Sequence, residues 1–235
     1  MKTLLINGCS FAERWRPTEE FVKSLDCDTV TNISKVATSF QRTCRSTIEW
    51  IAQNHNPHFV IIPITFVHRW ELSLSKVQDE IDGNWFPLQI KDLLLMSKNE
   101  LAQEVDVHKI GQMMDIYYGY GSKNTLRTWW DKTFTEIILL SSFLKQRNIK
   151  HLMFDMCNAF DKTQIKGDKG FEKIKLIDEN PNVIDLWSFC GNRLMWETLS
   201  SEIQEKTDQN THHHHGKDYS HLENHIIGYL ETNLQ

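Results

Sequence analysis

Short apolar runs rich in β-branched residues recur along this chain, and stretches with helical spacing separate them. The runs are Thr3 to Asn7, Thr29 to Ile33, Phe59 to Ile64, His151 to Asp155 and Val183 to Leu186, each bounded by polar or turn-forming residues. Strands that alternate with crossover helices pair in parallel, so the order predicts an α/β fold built on five parallel strands. Between the second and third runs, Thr43 to Asn54 sets Ile48, Ile51 and Ala52 at helical spacing before Asn56-Pro57 ends the helix. Trp130, Phe134, Ile137, Ile138 and Leu144 mark a longer amphipathic helix over Leu126 to Arg147. Leu222, Ile226, Leu230 and Leu234 mark a last one.

The 235 residues suit one domain, with no internal repeat or linker. His68 to Lys123 is too long for a simple connection and too apolar for disorder. It reads as a mostly helical insertion over the strand ends that shapes a pocket. Its tail, Tyr117-Tyr118-Gly119-Tyr120-Gly121, could stack on a sugar or base, or simply pack. Asp161 to Gly170 reads as an exposed loop.

A net charge of -5 without a basic block argues against nucleic acid or an anionic membrane as partner and favours a small or neutral one. The five cysteines, at 9, 27, 44, 157 and 190, show no CxxC and no regular spacing, so neither a disulfide framework nor a zinc site is expected. With no export signal and no membrane-length apolar run, the expectation is a soluble chain in a reducing cytoplasm. His212 to His215 invites a metal reading, but consecutive loop residues rarely point at one ion, so adventitious binding is expected there. No metal or cofactor is expected.

Two local patterns carry chemistry. Gly8-Cys9-Ser10-Phe11 directly follows the first strand. Ligands of a parallel sheet collect at the carboxyl ends of its strands, where Ser10 would be placed as a nucleophile; alternatively its hydroxyl caps the following helix. Near the other end stands Asp218-Tyr219-Ser220-His221. An aspartate three residues before a histidine can hold the imidazole in one tautomer, as the acid of a triad does; alternatively Asp218 caps the helix and His221 is merely exposed.

Taken together, the two patterns resemble the first and last blocks of the SGNH/GDSL hydrolases, in order and at the expected extremes of the chain. The resemblance extends to a phage and bacterial subgroup whose members open with Gly-Cys-Ser-Phe. Asn32 to Ser39 is similar to its second block, and Thr65 to Glu71 is similar to the segment after its third strand. This resemblance implies a three-layer α/β/α sandwich in flavodoxin-like strand order. It also implies an acyl-serine esterase in which Ser10 attacks an ester carbonyl, His221 relays the proton and Asp218 fixes the imidazole. The backbone N–H groups of Ser10 and Ala37 would form the oxyanion hole. A phage origin would make the compartment the host cytoplasm.

The departures are specific. The second-block glycine is Ala37, the nearby asparagine is Phe40, and the third-block Gly-x-Asn-Asp is absent, leaving Thr65, Gln41 or Arg69 as replacement donors. Losing one oxyanion donor costs roughly a hundredfold to a thousandfold in rate. Cys9 matches a variable position and reads as structural, and His225 as a helix-face residue. Arg69 and Glu71 could pair with each other, or Arg69 could bind a carboxylate or phosphate of the ligand. The leading function is therefore an esterase for small acyl or carbohydrate O-acetyl groups. The alternative is a silent member of the fold that binds a ligand or partner. A nucleotide-binding module is disfavoured because no GxGxxG or Walker A pattern occurs.

Overall fold

The computed structural model describes residues 1–36, 38–65, 69–73, 85–89, 125–155, 172–184, 207–208, 213–214 and 219–233. In chain order the elements are β1 (Thr3–Ile6), α1 (Ser10–Arg14), α2 (Glu19–Ser24), β2 (Thr29–Asn32), α3 (Phe40–Gln53) and β3 (Phe59–Ile64). There follow β4 (Arg69–Ser73), β5 (Trp85–Gln89), α4 (Thr125–Gln146), β6 (Lys150–Asp155) and α5 (Glu172–Asp178). Last come β7 (Val183–Ile184), β8 (Thr207–Asp208), β9 (His213–His214) and α6 (Ser220–Asn233).

The main sheet runs β2-β1-β3-β6-β7 with every pairing parallel. The expectation of five comparable strands needs correction. Four strands of four to six residues carry the sheet, and the run from Val183 to Leu186 contributes only the two-residue edge β7. Pro181 and Asn182 form a turn just before it, so pairing begins late, with Met153 opposite Val183.

Strand side chains alternate between faces, and the alternation divides the core in two. Leu4, Ile6, Phe59, Ile61, Leu152 and Phe154 pack with Trp15, Phe21, Leu222 and Ile226 of the α1, α2 and α6 side. Leu5, Val60, Ile62, Ile64 and Met153 pack with Phe40 and Ile51 of α3 and with Phe134, Ile137, Leu140 and Leu144 of α4. Helices thus cover both faces, as a sheet buried on both sides requires. β3, buried along its whole length, reads as a continuous apolar run for the same reason.

A proline in a central strand needs a reason, because it cannot donate to the ladder. Asn7 N donates to the Ile61 carbonyl, so that residue faces β1; Pro63, two residues on, turns its hydrogen-free nitrogen to the same side. β1 has ended by then, at Ile6.

The insertion also departs from expectation. Its described residues are not helical: β4 and β5 form an antiparallel ribbon, with Glu71 opposite Pro87. Proline is tolerated there because a two-stranded ribbon leaves each strand a free edge. The rest of the insertion, including Tyr117 to Gly121, lies outside the described residues, as does Asp161 to Gly170. Helices α2 and α5 were not expected from the periodicity; both are short, at six and seven residues. No helix among the described residues is long and apolar enough to cross a membrane.

Candidate functional site

β1 delivers Asn7, Gly8, Cys9 and Ser10 to the carboxyl edge of the sheet. Gly8 is set by a close approach. A Cβ there would stand 3.0 Å from Ala12 Cβ and 3.1 Å from the Pro63 carbonyl oxygen, so any larger residue would press the turn away from β3 by a few tenths of an ångström. Cys9 is fully buried and is the N-cap of α1, with no side-chain capping bond. Ser10 is therefore the first residue inside the helix, and the capping role weighed for its hydroxyl does not occur. Its Oγ is buried and has no hydrogen-bond partner among the described residues. A buried hydroxyl without a partner carries a desolvation cost of about 1–3 kcal/mol.

Two networks hold this turn. On the α3 side, fully buried Asn7 directs Nδ2 to the Thr43 carbonyl at 3.0 Å, Ser46 Oγ at 2.8 Å and Thr47 Oγ1 at 2.9 Å. Its Oδ1 accepts from Arg42, whose guanidinium also donates to the Ile33 carbonyl at 2.8 Å. Lys35 N donates to the Gly8 carbonyl, and Asn32 Nδ2 donates to the Ala12 carbonyl at the end of α1. The second block is thereby tied to the first at several points.

On the α6 side, the buried Glu223 carboxylate accepts from Trp15 Nε1 at 2.9 Å, Thr18 N at 3.1 Å and Thr18 Oγ1 at 2.5 Å. Tyr219 stacks on Trp15 with centroids 6.1 Å apart, and burial pushes its hydroxyl up to about 12. Tyr219 stands between the residues of the Asp218/His221 pattern, and His221 lies in the first turn of α6. The helix that carries His221 is thus packed on the segment that follows Ser10. Asp218 and Ala37 lie outside the described residues, as do the side chains of His221 and Arg69.

Of the replacement oxyanion donors, the Thr65 hydroxyl is engaged elsewhere. Thr65 Oγ1 donates to the Thr38 carbonyl at 3.3 Å, joining the second and third blocks. The Gln41 carbonyl accepts from Lys132 Nζ at 2.9 Å. Glu71 meets Arg45, with Oε1 2.9 Å from Nη2 and a second contact of 3.4 Å from Nε to Oε2, and this pair fastens the ribbon to α3. His225 is exposed. The β9 pair His213–His214 lies against α1, while His212 and His215 fall outside the described residues.

Residue reasoning did not single out Asn7, Arg42 or Glu223. Asn7 had a signal, being a polar residue that ends an apolar strand at the carboxyl edge. Buried Asp155, at the end of β6, carries the same signal.

No family model matches this chain, and no curated protein matches it. Among solved structures it is similar to the psychrotrophic esterase EstA from Pseudoalteromonas sp., in a crystal structure inhibited by monoethylphosphonate. The identity is 12%, the match covers 100% of this chain and 97% of that one, and the TM-score is 0.44.

Proposed function

We propose that this chain is a serine ester hydrolase for small acyl esters, carbohydrate O-acetyl groups among them, working through an acyl-serine intermediate on Ser10. The observation that carries the reading is the Ser10 hydroxyl. It is buried, free of partners among the described residues and held at the carboxyl edge of a parallel sheet by a braced turn. A serine kept for structure would spend its hydroxyl on a cap or a carbonyl, and among the described residues this one does neither.

In the proposed reaction the Ser10 hydroxyl adds to the ester carbonyl while His221 takes its proton, and Asp218 fixes the imidazole tautomer. The tetrahedral oxyanion is stabilised by the backbone N–H groups of Ser10 and Ala37. His221 returns the proton to the departing alcohol, and water, activated by the same imidazole, releases the acid. Thr65 acts in this scheme by fixing the Thr38 carbonyl within the second block rather than as a donor to the oxyanion. With the family's asparagine absent and the Thr65 hydroxyl committed to the Thr38 carbonyl, turnover is expected to be roughly a hundredfold to a thousandfold below that of a complete oxyanion hole.

The test is hydrolysis of p-nitrophenyl acetate together with labelling by a fluorophosphonate. Ser10→Ala should abolish labelling and lower kcat/KM by roughly four orders of magnitude or more, with His221→Ala close behind. Hydrolysis indifferent to both substitutions would overturn the mechanism. A wild type that never labels would instead indicate a silent ligand-binding member of the fold.

A further inference from the structure

Every donor among the described residues that reaches Glu223 comes from the segment just after Ser10, while the carboxylate itself belongs to the helix turn that holds His221. Glu223 N donates to the Tyr219 carbonyl at 3.0 Å, closing that first turn of α6 around residue 221. Its side chain is 2% exposed and accepts one bond from the indole of Trp15 and two from Thr18. Trp15 is the C-cap of α1, the helix that opens with Ser10; Thr18 is the N-cap of α2 and accepts from Phe21 N. A single buried carboxylate therefore spans the end of one helix, the start of the next and the first turn of the last.

Hydrophobic packing could have held α6 to this face without it. Leu222 and Ile226 already sit in the core with Trp15 and Phe21. Apolar contact is non-directional, however, and leaves a helix free to slide or rotate by small amounts. Three convergent hydrogen bonds to one rigid carboxylate remove that freedom, and a buried carboxylate is costly enough that its bonds must be made.

We propose that Glu223 is a positioning residue for ester hydrolysis: by clamping the first turn of α6 to Trp15 and Thr18, it sets the register of His221 against Ser10. The inference rests on the acyl-serine reading and adds to it the device that brings the two ends of the chain into reacting geometry. Misplacement of reacting groups by about 1 Å can cost on the order of a hundredfold in rate.

The experiment compares Glu223→Ala, Glu223→Gln and Ile226→Ala in the full chain, each assayed well below its own Tm with p-nitrophenyl acetate and a fluorophosphonate. Glu223→Ala should lower kcat roughly tenfold to a hundredfold with KM within about twofold, and slow Ser10 labelling by the same factor. Glu223→Gln retains the shape and an acceptor for the indole, with its amide facing a Thr18 hydroxyl that can accept, and should stay within about threefold of wild type. Ile226→Ala, which removes core packing one turn further on, should lower Tm and leave kcat alone. Trp15→Phe keeps an aromatic ring but removes the indole N–H together with the five-membered ring; a several-fold fall in kcat is expected even if an alanine variant does not fold, with its Tm read beside that of Ile226→Ala to separate lost packing from the lost bond. Equal slowing in Glu223→Ala and Ile226→Ala, or none in Glu223→Ala and Trp15→Phe, overturns the positioning role while leaving the esterase reading intact. A wild type that neither labels nor hydrolyses overturns that reading first and this inference with it.

Discussion

The Ser10 turn is gripped from both faces of the sheet, and the two grips are built differently. On the α3 side Asn7 meets partners 35 to 40 positions away, all before β3 begins. On the α6 side Glu223 meets partners 205 and 208 positions away, across nearly the whole chain. With separations of 36 and 208 residues, closing the longer loop costs about 1.5 kcal/mol more by the logarithmic rule for flexible chains. The near grip uses an amide and a guanidinium against several backbone and hydroxyl groups; the far one uses a charged acceptor against neutral donors. Both grips therefore include charge-assisted bonds, and the far one must in addition offset the cost of closing the longer loop.

The largest expected consequence lies on the near side. Asn7→Ala leaves the Arg42 guanidinium without one acceptor and takes the amide from three others, so urea denaturation should show a loss of about 2–4 kcal/mol. A loss as small as that of a surface substitution would mean that the near grip is not structural. Next comes Thr18→Ala on the far side. It removes both the short bond to Glu223 and the cap on Phe21 N, for about 1–2 kcal/mol, and should speed amide hydrogen exchange in α6 while leaving α3 unchanged. Equal acceleration in both helices would erase the distinction between the grips.

The smallest effect concerns charge on the α3 side. Burial, helped by the Glu71 carboxylate and opposed by Lys132, raises the Glu136 carboxyl above its usual range. A raised carboxyl favours the protonated form in the folded state, so its stabilising contribution is present at low pH and is lost as pH rises through the folded value. Glu136→Gln should therefore gain Tm relative to wild type as pH rises above the ordinary carboxyl range of about 4.5 and keep that gain at neutral pH, with no gain in acid. A gain independent of pH would mean that the charge is not what is felt there.

What the sequence disclosed follows the reach of each interaction. The strands showed themselves as β-branched runs, and α3, α4 and α6 as periodic stripes, because burial of a face is written in neighbouring residues. The Ser10 turn was legible for the same reason, Gly8 standing where the backbone presses on Pro63. The Glu223 grip was not, since nothing local marks a glutamate whose donors lie some two hundred residues away. The β4–β5 ribbon escaped too, because its short strands carry no long period. Glu71 was noticed, but its observed partner Arg45 sits on another element, where spacing along one strand gives no hint of it.

Pro63 gives the arrangement a stop that chemistry alone enforces. An ordinary residue there would present an N–H toward β1 and invite one more rung, drawing the following residues into the ladder as extended chain. With that hydrogen missing, the zipper between β1 and β3 has no next tooth, and the backbone is released to coil at Ser10. The place of the Ser10 hydroxyl along the sheet is thus metered by an atom that proline does not have.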